Sequence, residues 1–526
     1  MKSDPLNWLL VCSKTKISAY VFAGVVFFSS SYSAPTLSAG RLWITGGWGS
    51  TVAATAIESC MKFYDVQTTP GSQYGMWSYT NAEVSKYDTQ QLSCSATETW
   101  APNGEVTNRA PGTYTTWVYR QPSCAADSTD LDTGVCVVPG TSGRNKGAPS
   151  PEQVCSLVGN PINVMGGNKF QQEIDYKANG VVFSRYYNST DGVWRHSFSA
   201  HLISQGANTF VILSDGRQID YTTSSSGFVA KYGEVGKLDQ SATGWHYVSS
   251  DNTVYTFDSL GRLVSKDEPS GRLFEITYPE SNPVNNSGSE LNIVVNGAKH
   301  YTLIEDFFHQ PIKFYDGQVT LDYLYDSNSQ LTEFKTTVGG ISSTRQYQYS
   351  DPNDVKLLTG IVDERGVLIA KWSYDSSGRA ISSEHAGVSD KVMLTYIGNT
   401  LAVAENSLSK KTTYTFQYAI SSPRISSIAG EASANCLASN SSYTYDDSGR
   451  IISKTDALNS VTTYTYNDRG LEVSRVEASG TPLARTTTTE WDPSRFLKTK
   501  VVEPTRTTLY TYDAQGRPLS QQTTSN

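Results

Sequence analysis

The stretch Tyr443-Thr444-Tyr445-Asp446-Asp447-Ser448-Gly449-Arg450 decides the fold, because its pattern returns at intervals along the chain. In the fullest copies an aromatic residue is followed by Asp and, three residues later, by Gly-Arg. One marked aromatic residue per unit, about 23 residues apart, occurs at Phe257, Tyr278, Tyr301, Tyr325, Tyr349, Tyr374, Tyr396, Tyr418, Tyr445, Tyr466, Trp491 and Tyr512. A fixed period of this length indicates a repeat architecture, in which units pack on their neighbours.

The chemistry of the unit predicts a β hairpin. Asp ends a strand and bonds to the turn backbone, Gly accepts a positive φ, and Arg begins the return strand, where it can cover an aromatic ring. A second aromatic residue often stands two positions before the marked one, so the two share a strand face and form a stripe. We therefore predict an antiparallel array of about twelve units over residues 251–526. The residues that define the repeat are Asp258, Gly261, Arg262, Tyr374, Asp375, Gly378, Arg379, Tyr445, Asp446, Gly449, Arg450, Tyr512, Asp513, Gly516 and Arg517.

The composition also indicates a mainly β protein. Tyr, which favours strands, occurs 32 times, and Gly, which favours turns, occurs 41 times. The net charge of −8 and the scattering of single Lys and Arg residues argue against a nucleic-acid partner. Alternating strand-like segments separated by Gly and Asp predict a further β domain over residues 155–250.

The repeat resembles the YD repeat of Rhs proteins, which also occurs in the C components of insecticidal toxin complexes and in teneurins. The segments GNPINV (159–164), RYYNS (185–189) and WRHSF (194–198) resemble the domain that precedes the repeats in that family. The resemblance runs from Gly159 to the C-terminus. It implies a long antiparallel sheet that spirals into a hollow shell, and in complete members the shell encloses a C-terminal toxin.

The sequence departs from the family pattern at several points. Asp326-Ser-Asn-Ser-Gln330 lacks the Gly-Arg pair, Arg469-Gly470 is inverted, and no plug segment with aspartyl self-cleavage or toxin domain follows Tyr512. The strands would cover about 3,800 Å², whereas surrounding a toxin of ~150 residues needs about 7,200 Å². We therefore expect an open, partial shell with a strand edge near the C-terminus that pairs with another chain or limits solubility.

The N-terminus has the order of a secretory signal peptide over residues 1–33. Lys14 and Lys16 precede an apolar run at 17–28, and small residues lead to Ala34. Twelve apolar residues are too few for a stable transmembrane span, which needs about 20. We expect an exported protein, located in the periplasm, at the cell surface or in the medium.

Cysteines concentrate in a predicted small cysteine-rich domain at 41–136, which a Pro/Gly/Ser-rich linker at 137–154 separates from the rest. In an exported chain this clustering indicates disulfides, and the short loop between Cys124 and Cys136 favours that pair. Cys60 and Cys94 form the second candidate pair. The same domain carries a predicted helix at 51–64.

No pattern in the sequence predicts a catalytic residue, a cofactor site or a metal site. The six histidines have no metal-ligand spacing, and we interpret them as structural or surface residues. The favoured function is a non-catalytic shell or scaffold of a contact-dependent toxin or competition system, with another Rhs fragment or a cell-surface component as protein partner. The alternative is an adhesion or carbohydrate-binding protein, with glycan bound by the cysteine-rich domain or by exposed aromatic stripes. We expect the aromatic stripes to be packed against the sheet, which argues against glycan binding by them.

Overall fold

The computed structural model describes the backbone of five strands within residues 42–121, residues 145–147, and residues 156–526 except 226, 280–288, 307, 327, 388–389, 420–421 and 431–439. No α-helix occurs in these described residues. Consequently they contain no helix of the length and apolarity needed to cross a membrane. The predicted signal peptide (1–33) and the side chains of the candidate disulfide residues Cys60, Cys94, Cys124 and Cys136 lie outside the described part of the chain.

The first five strands form one sheet in the order β2-β1-β5-β4-β3. Their bounds are β1 Leu42–Thr45, β2 Val52–Ala53, β3 Met76–Lys86, β4 Gln91–Ala101 and β5 Gly112–Gln121. The helix predicted at 51–64 is wrong at its start, because Val52 and Ala53 form the strand β2. They pair with Ile44 and Trp43, so sheet pairing overrides the local capping pattern.

Residues 156–230, which we call the pre-repeat segment, form two small antiparallel sheets. The first has the order β10-β9-β8-β7-β6 and the second the order β11-β12-β13-β14. The strands are β6 Leu157–Val158, β7 Ile162–Asn163, β8 Asn168–Ala178, β9 Val181–Asn188, β10 Val193–His196, β11 His201–Gln205, β12 Asn208–Ile212, β13 Gln218–Ser224 and β14 Gly227–Ala230. The tight β8–β9 connection is Asn179-Gly180, whose φ angles of 53° and 79° suit a two-residue hairpin turn.

The remaining strands form one sheet of 26 strands in which every neighbour in space is also the neighbour in sequence. All of its pairings are antiparallel, as the repeat predicted. The strands are β15 Lys237–Ser241, β16 Gly244–Val248, β17 Val254–Asp258, β18 Leu263–Glu268, β19 Arg272–Thr277, β20 Ser289–Val295, β21 Lys299–Glu305, β22 Pro311–Tyr315, β23 Val319–Tyr325, β24 Leu331–Val338, β25 Ile341–Gln348, β26 Gly360–Val362, β27 Leu368–Tyr374, β28 Ala380–His385, β29 Val392–Ile397, β30 Leu401–Asn406, β31 Lys411–Ala419, β32 Ser422–Gly430, β33 Ser441–Tyr445, β34 Ile451–Thr455, β35 Val461–Tyr466, β36 Glu472–Glu477, β37 Arg485–Trp491, β38 Lys498–Glu503, β39 Arg506–Tyr512 and β40 Pro518–Ser525. The order ends at β15 and β40, so the sheet is open.

A register shift marks many of the repeat hairpins. It falls directly before the marked aromatic residue, as between Ser373 and Tyr374 and between Thr444 and Tyr445. An extra residue on one strand bends the strand and increases its twist. Recurrence of this irregularity therefore curves the sheet progressively along the array.

The core lies between the pre-repeat segment and one face of the repeat sheet. Phe183 and Trp194 of the segment are fully buried, together with Phe314 and Leu321 of the sheet. Phe183 and Phe314 stack with their ring centroids 4.6 Å apart. Burial decreases towards the later strands, where Tyr464 is only half-buried. The pre-repeat segment therefore covers the middle of the array and leaves the late strands more open.

Late turns of the sheet lie against early ones. The backbone N–H of Phe496 donates to Oδ1 of Asn252 at 2.8 Å, and Nδ2 of Asn252 donates to the carbonyl of Phe496 at 3.2 Å. Similarly, Nη2 of Arg424 donates to the carbonyl of Tyr232 at 2.8 Å. The Asn252–Phe496 bonds join parts of one sheet that are far apart in its strand order, and the Arg424 bond joins β32 to the connection that precedes β15.

Candidate functional site: the repeat turns and the buried interface they support

The aspartate of each full repeat organises its turn. Oδ1 of Asp446 accepts hydrogen bonds of 2.9 Å from the backbone N–H groups of Ser448 and Arg450. Nε of Arg450 donates to Oδ2 of the same carboxylate at 2.8 Å. Gly449 has a φ of 82°, which strains a residue that has a side chain. The turns at Asp258, Asp375 and Asp513 repeat these bonds. The spacing Asp-x-x-Gly-Arg is therefore the spacing of one closed turn.

The arginine of one repeat contacts the marked aromatic residue of the next. The guanidinium carbon of Arg450 lies 5.0 Å from the centroid of the Tyr466 ring, and the hydroxyl of Tyr466 donates to the carbonyl of Ile451 at 2.6 Å. Arg379 lies 4.4 Å from the Tyr396 ring in the same way. A charged group over an aromatic face and a hydrogen bond below it join consecutive units.

Two repeat turns replace the arginine with glutamine, and both glutamines are buried. Gln310 is 1% exposed and Gln330 is 0% exposed. In these turns His309 and Ser329 occupy the glycine position, with φ angles of 59° and 58°. Oε1 of Gln310 accepts a bond of 3.1 Å from the backbone N–H of Trp194, in the pre-repeat segment. An arginine at either position would place a charge out of contact with water, which is unfavourable without a partner.

A buried ion pair holds the β8–β9 hairpin against the repeat sheet. Nε and Nη2 of Arg185 donate to the Asp175 carboxylate at 2.5 and 3.0 Å, and Nη2 also donates to the hydroxyl of Tyr347 at 2.7 Å. Burial raises the pKa of Asp175, and the charge of Arg185 offsets only part of that effect. The guanidinium carbon lies 4.7–5.2 Å from the ring centroids of Trp194, Tyr323, Phe334 and Tyr347. Aromatic side chains of both the pre-repeat segment and the repeat sheet therefore enclose the Arg185–Asp175 ion pair.

Three further buried cations, Lys169, Lys146 and Arg195, form ion pairs or hydrogen bonds with the pre-repeat segment. Nζ of Lys169 donates to the carbonyl of Asn160 at 2.7 Å and lies 4.3 Å from the centroid of the Trp372 ring. Burial lowers the pKa of Lys169. Asp191 accepts bonds from Lys146 at 2.9 Å and from Arg195 at 2.7 Å. Burial raises the pKa of Asp191, but Arg195 and Lys146 outweigh it and hold the pKa at about 2.

A cluster of imidazoles and carboxylates lies where β10 and β11 meet the β21–β22 turn. Oε2 of Glu305 is 2.8 Å from Nε2 of His196, and Oε1 of Glu305 is 2.8 Å from Nδ1 of His309. The rings of His201 and His309 stack with their centroids 4.6 Å apart. Burial lowers the pKa of His196, and its bond to Glu305 offsets only part of the change. Burial raises the pKa of Glu305, but the charge of His309 and bonds from both imidazoles hold it at about 2.

The structure places the repeat-defining residues in the turns β17–β18, β27–β28, β33–β34 and β39–β40. The exceptions are the marked tyrosines and Asp258, which are the last residues of the strands that precede these turns. The aromatic stripe is packed rather than exposed where the pre-repeat segment covers it, since Trp372 and Tyr374 are 2% and 6% exposed. Sequence reasoning assigned no role to Glu305, Gln310 or Arg185. The departure of Asp306-Phe-Phe-His309-Gln310 from the repeat pattern was the available signal for the first two.

Other parts of the described chain offer little further chemistry. No set of three or more His, Cys, Asp or Glu side chains in the described residues is arranged to hold a metal ion. A cavity of about 430 Å³ lies between β9 and the strands β18 and β19, lined by Tyr186, Ser197, Lys266, Glu268 and Arg272 among others. Its lysine and arginine both pair with Glu268, at 3.0 and 3.2 Å.

Hairpins with an Asp-x-x-Gly-Arg turn, joined in sequence order into one antiparallel sheet, define a YD-repeat protein. A family model described as RHS Repeat matches residues 445–482. A second model, described as a domain of unknown function (DUF6531), matches residues 159–221 of the pre-repeat segment. The chain is therefore a member of the Rhs/YD-repeat proteins. A search of curated proteins finds no match.

Among solved structures, the chain is similar to a crystal structure of TcdB2-TccC3, with 13% identity and a TM-score of 0.26 over 82% of this chain and 27% of that one. It is also similar to a Photorhabdus luminescens Tc holotoxin pore, with 12% identity and a TM-score of 0.26 over 85% of this chain and 27% of that one. The chain thus spans about a quarter of the length of these proteins.

Proposed function

We propose that this chain is a non-catalytic scaffold of an exported Rhs-type system, in which the repeat sheet is the wall of an open, partial shell. The observation that carries the proposal is the buried attachment of the pre-repeat segment to that wall. Arg185 and Asp175 join β8 and β9 to Tyr347 of β25 without contact with solvent. An attachment of this kind gives a rigid wall. Arg185 and Asp175 neutralise each other within the pre-repeat segment, and each also hydrogen-bonds a tyrosine of the repeat sheet, Tyr347 and Tyr323 respectively.

The role in a contact-dependent toxin or competition system requires a protein partner, such as another Rhs fragment. Support for such a partner comes from β40, which pairs only with β39 among the described strands and has eight exposed residues. Its sequence PLSQQTTS contains no charged residue to discourage strand addition. We propose that a strand of the partner adds to β40.

Co-expression of the full chain with a tagged Rhs-repeat fragment tests this function. We expect the two chains to co-purify and the substitution Gln522→Lys, in β40, to reduce the recovered complex several-fold. Ser343→Lys, on the exposed side of the interior strand β25, is the matched control and should leave recovery unchanged. Recovery that is equal for both variants would contradict strand addition. Binding of the full chain on a glycan array, without any co-purifying chain, would favour the adhesion alternative.

A further inference from the structure

At the β21–β22 turn, one buried carboxylate contacts two imidazoles, and a third imidazole stacks on one of these two. Glu305 contacts His196, at the end of β10, and His309, in its own turn, while His201 at the start of β11 stacks on His309. Two of the three imidazoles belong to the pre-repeat segment and one to the repeat sheet. Protonation of this cluster therefore acts directly on the junction between the two.

We propose that this cluster is a pH-operated latch, which holds β10 and β11 on the repeat sheet at neutral pH and releases them in mild acid.

The hydrogen bonds of His196 fix it in its neutral form. Its Nδ1 accepts a bond of 3.1 Å from the backbone N–H of Phe198, so this nitrogen cannot carry a proton in the closed structure. The proton is therefore on Nε2, which donates to Glu305 at 2.8 Å. A second proton on Nδ1 would face the Phe198 N–H and break that bond. Acid can protonate His196 only when the junction opens.

In mild acid, the groups that face the cluster provide no negative charge besides Glu305 that would stabilise protonated imidazoles. His201 forms a bridge with Arg262, whose charge is paired with Asp258 at 2.7 Å. Asp306 is buried, and burial raises its pKa to about 6, so mild acid neutralises it. The neighbouring phenols, which remain protonated at these pH values, are Tyr278 and Tyr325.

The direction of the pH effect follows from these groups. A buried histidine whose pKa is lowered stabilises the closed state above about pH 6.5, and that stabilisation is lost as the pH falls below this value. Asp306 acts in the opposite direction between about pH 6 and 4, since the closed state takes up its proton more readily. Its carboxylate accepts bonds from the Phe308 and Gln310 N–H groups and the Gln310 amide, all within its own turn. These bonds are retained when β10 leaves, so the histidine effect dominates.

Two further hydrogen bonds attach β10 to the repeat sheet next to this point. Trp194, two residues before His196, is held by Gln310 through its backbone and by Tyr349 through its indole N–H at 2.8 Å. After loss of the His196 bond, these two bonds still hold β10, so the strand leaves the sheet only when they break as well.

Hydrogen–deuterium exchange of the full chain, corrected for the intrinsic effect of pH, tests the latch. We expect exchange in residues 193–202 to rise about tenfold between pH 7.5 and 5.5. Exchange in residues 461–477, outside the interface, should stay constant. His196→Gln keeps an amide donor for Glu305 and an acceptor for Phe198 but does not titrate, so it should abolish the rise. His300→Gln, exposed on β21, is the control and should behave as the unmodified chain does.

Absence of a local rise in the unmodified chain, or its persistence in His196→Gln, would overturn the proposal. If His196→Gln does not fold, His309→Gln provides the second variant, since it also removes one imidazole from the Glu305 carboxylate. It should move the pH of opening downwards by about half a unit or more. An unchanged pH of opening in that variant would equally contradict the latch.

Discussion

The guanidinium of Arg450 lies over the ring of Tyr466, and the hydroxyl of that tyrosine bonds to the carbonyl of the residue after the arginine. This relationship joins the turn of one repeat to the strand of the next. Arg379 and Tyr396 repeat it, with a bond of 3.0 Å from the Tyr396 hydroxyl to the Ala380 carbonyl. The repeat is therefore a chain of contacts between successive units as well as a series of separate hairpins.

Tyr466→Phe should weaken this contact while leaving the ring in place. We expect a loss of about 1 kcal/mol in the free energy of unfolding, because the partly buried carbonyl of Ile451 loses its donor. Tyr464→Phe, two residues away on the same strand, is the control and should cost less than about 0.5 kcal/mol. Urea unfolding followed by circular dichroism measures both. Equal effects of the two variants would show that the hydroxyl bond contributes nothing specific.

Adjacent aspartates of one turn provide a second test. Asp446→Ala removes two backbone hydrogen bonds and the partner of Arg450, and it should cost about 1–2 kcal/mol. Asp447→Ala changes an exposed neighbour of the same type and should leave stability within about 0.5 kcal/mol. The same urea experiment applies. A larger loss in Asp447→Ala would contradict the assignment of the turn to Asp446.

The buried glutamines predict an asymmetry between repeat turns. Gln330→Arg gives this turn the arginine of the repeat pattern, but it places a charge where the side chain has no exposure, and we expect a loss above about 2 kcal/mol. Arg450→Gln makes the reverse change in a more exposed turn and should cost about 1 kcal/mol. Thermal unfolding of the two variants compares them directly. If Gln330→Arg is the milder change, burial is not what excludes arginine there.

Asp175→Asn should be among the most damaging single changes in the interface. It leaves the charge of Arg185 buried without a carboxylate, and breaking a buried pair in this way costs about 3–5 kcal/mol. Asp239→Asn breaks the exposed pair between Asp239 and Lys237 and should cost less than about 1 kcal/mol. Unfolding free energies of both variants at pH 7 provide the measurement. Similar losses would mean that the Arg185 pair is not a structural support.

The repeat hairpins could be predicted from sequence because their chemistry is local. Asp446 and Arg450 lie four residues apart, so the turn bonds are contained in the motif itself. The interface could not be predicted, since Arg185 and Tyr347 are separated by 162 residues and meet only after the sheet has formed. His196 and Glu305 are likewise brought together by the fold. The sequence shows Gln310 as an exception to the repeat pattern. The structure gives the reason for this exception, because Gln310 is buried and an arginine there would bury a charge.

The failed prediction in the N-terminal region has a related cause. Ser50 precedes residues that suit a helix start, yet Val52 and Ala53 pair with β1. A capping pattern contributes about 1 kcal/mol, and ladder pairing with a neighbouring strand can exceed that. In the repeat turns, the local conformational preference of Asp, Gly and Arg determines the structure. At Val52 and Ala53, pairing with the neighbouring strand β1 outweighs the local preference for a helix.

The contact between Asn252 and Phe496 requires a fixed number of strands between these two positions of the array. Gly470 lies against Val235, Phe496 against Asn252, and Arg517 near Gly271, so early and late turns advance in step. Loss of one hairpin between them would set every later turn opposite the wrong partner. A solenoid whose units touch only their neighbours tolerates such a change. This array does not, so variation in length among its relatives should fall within loops, with the number of strands between facing turns held constant.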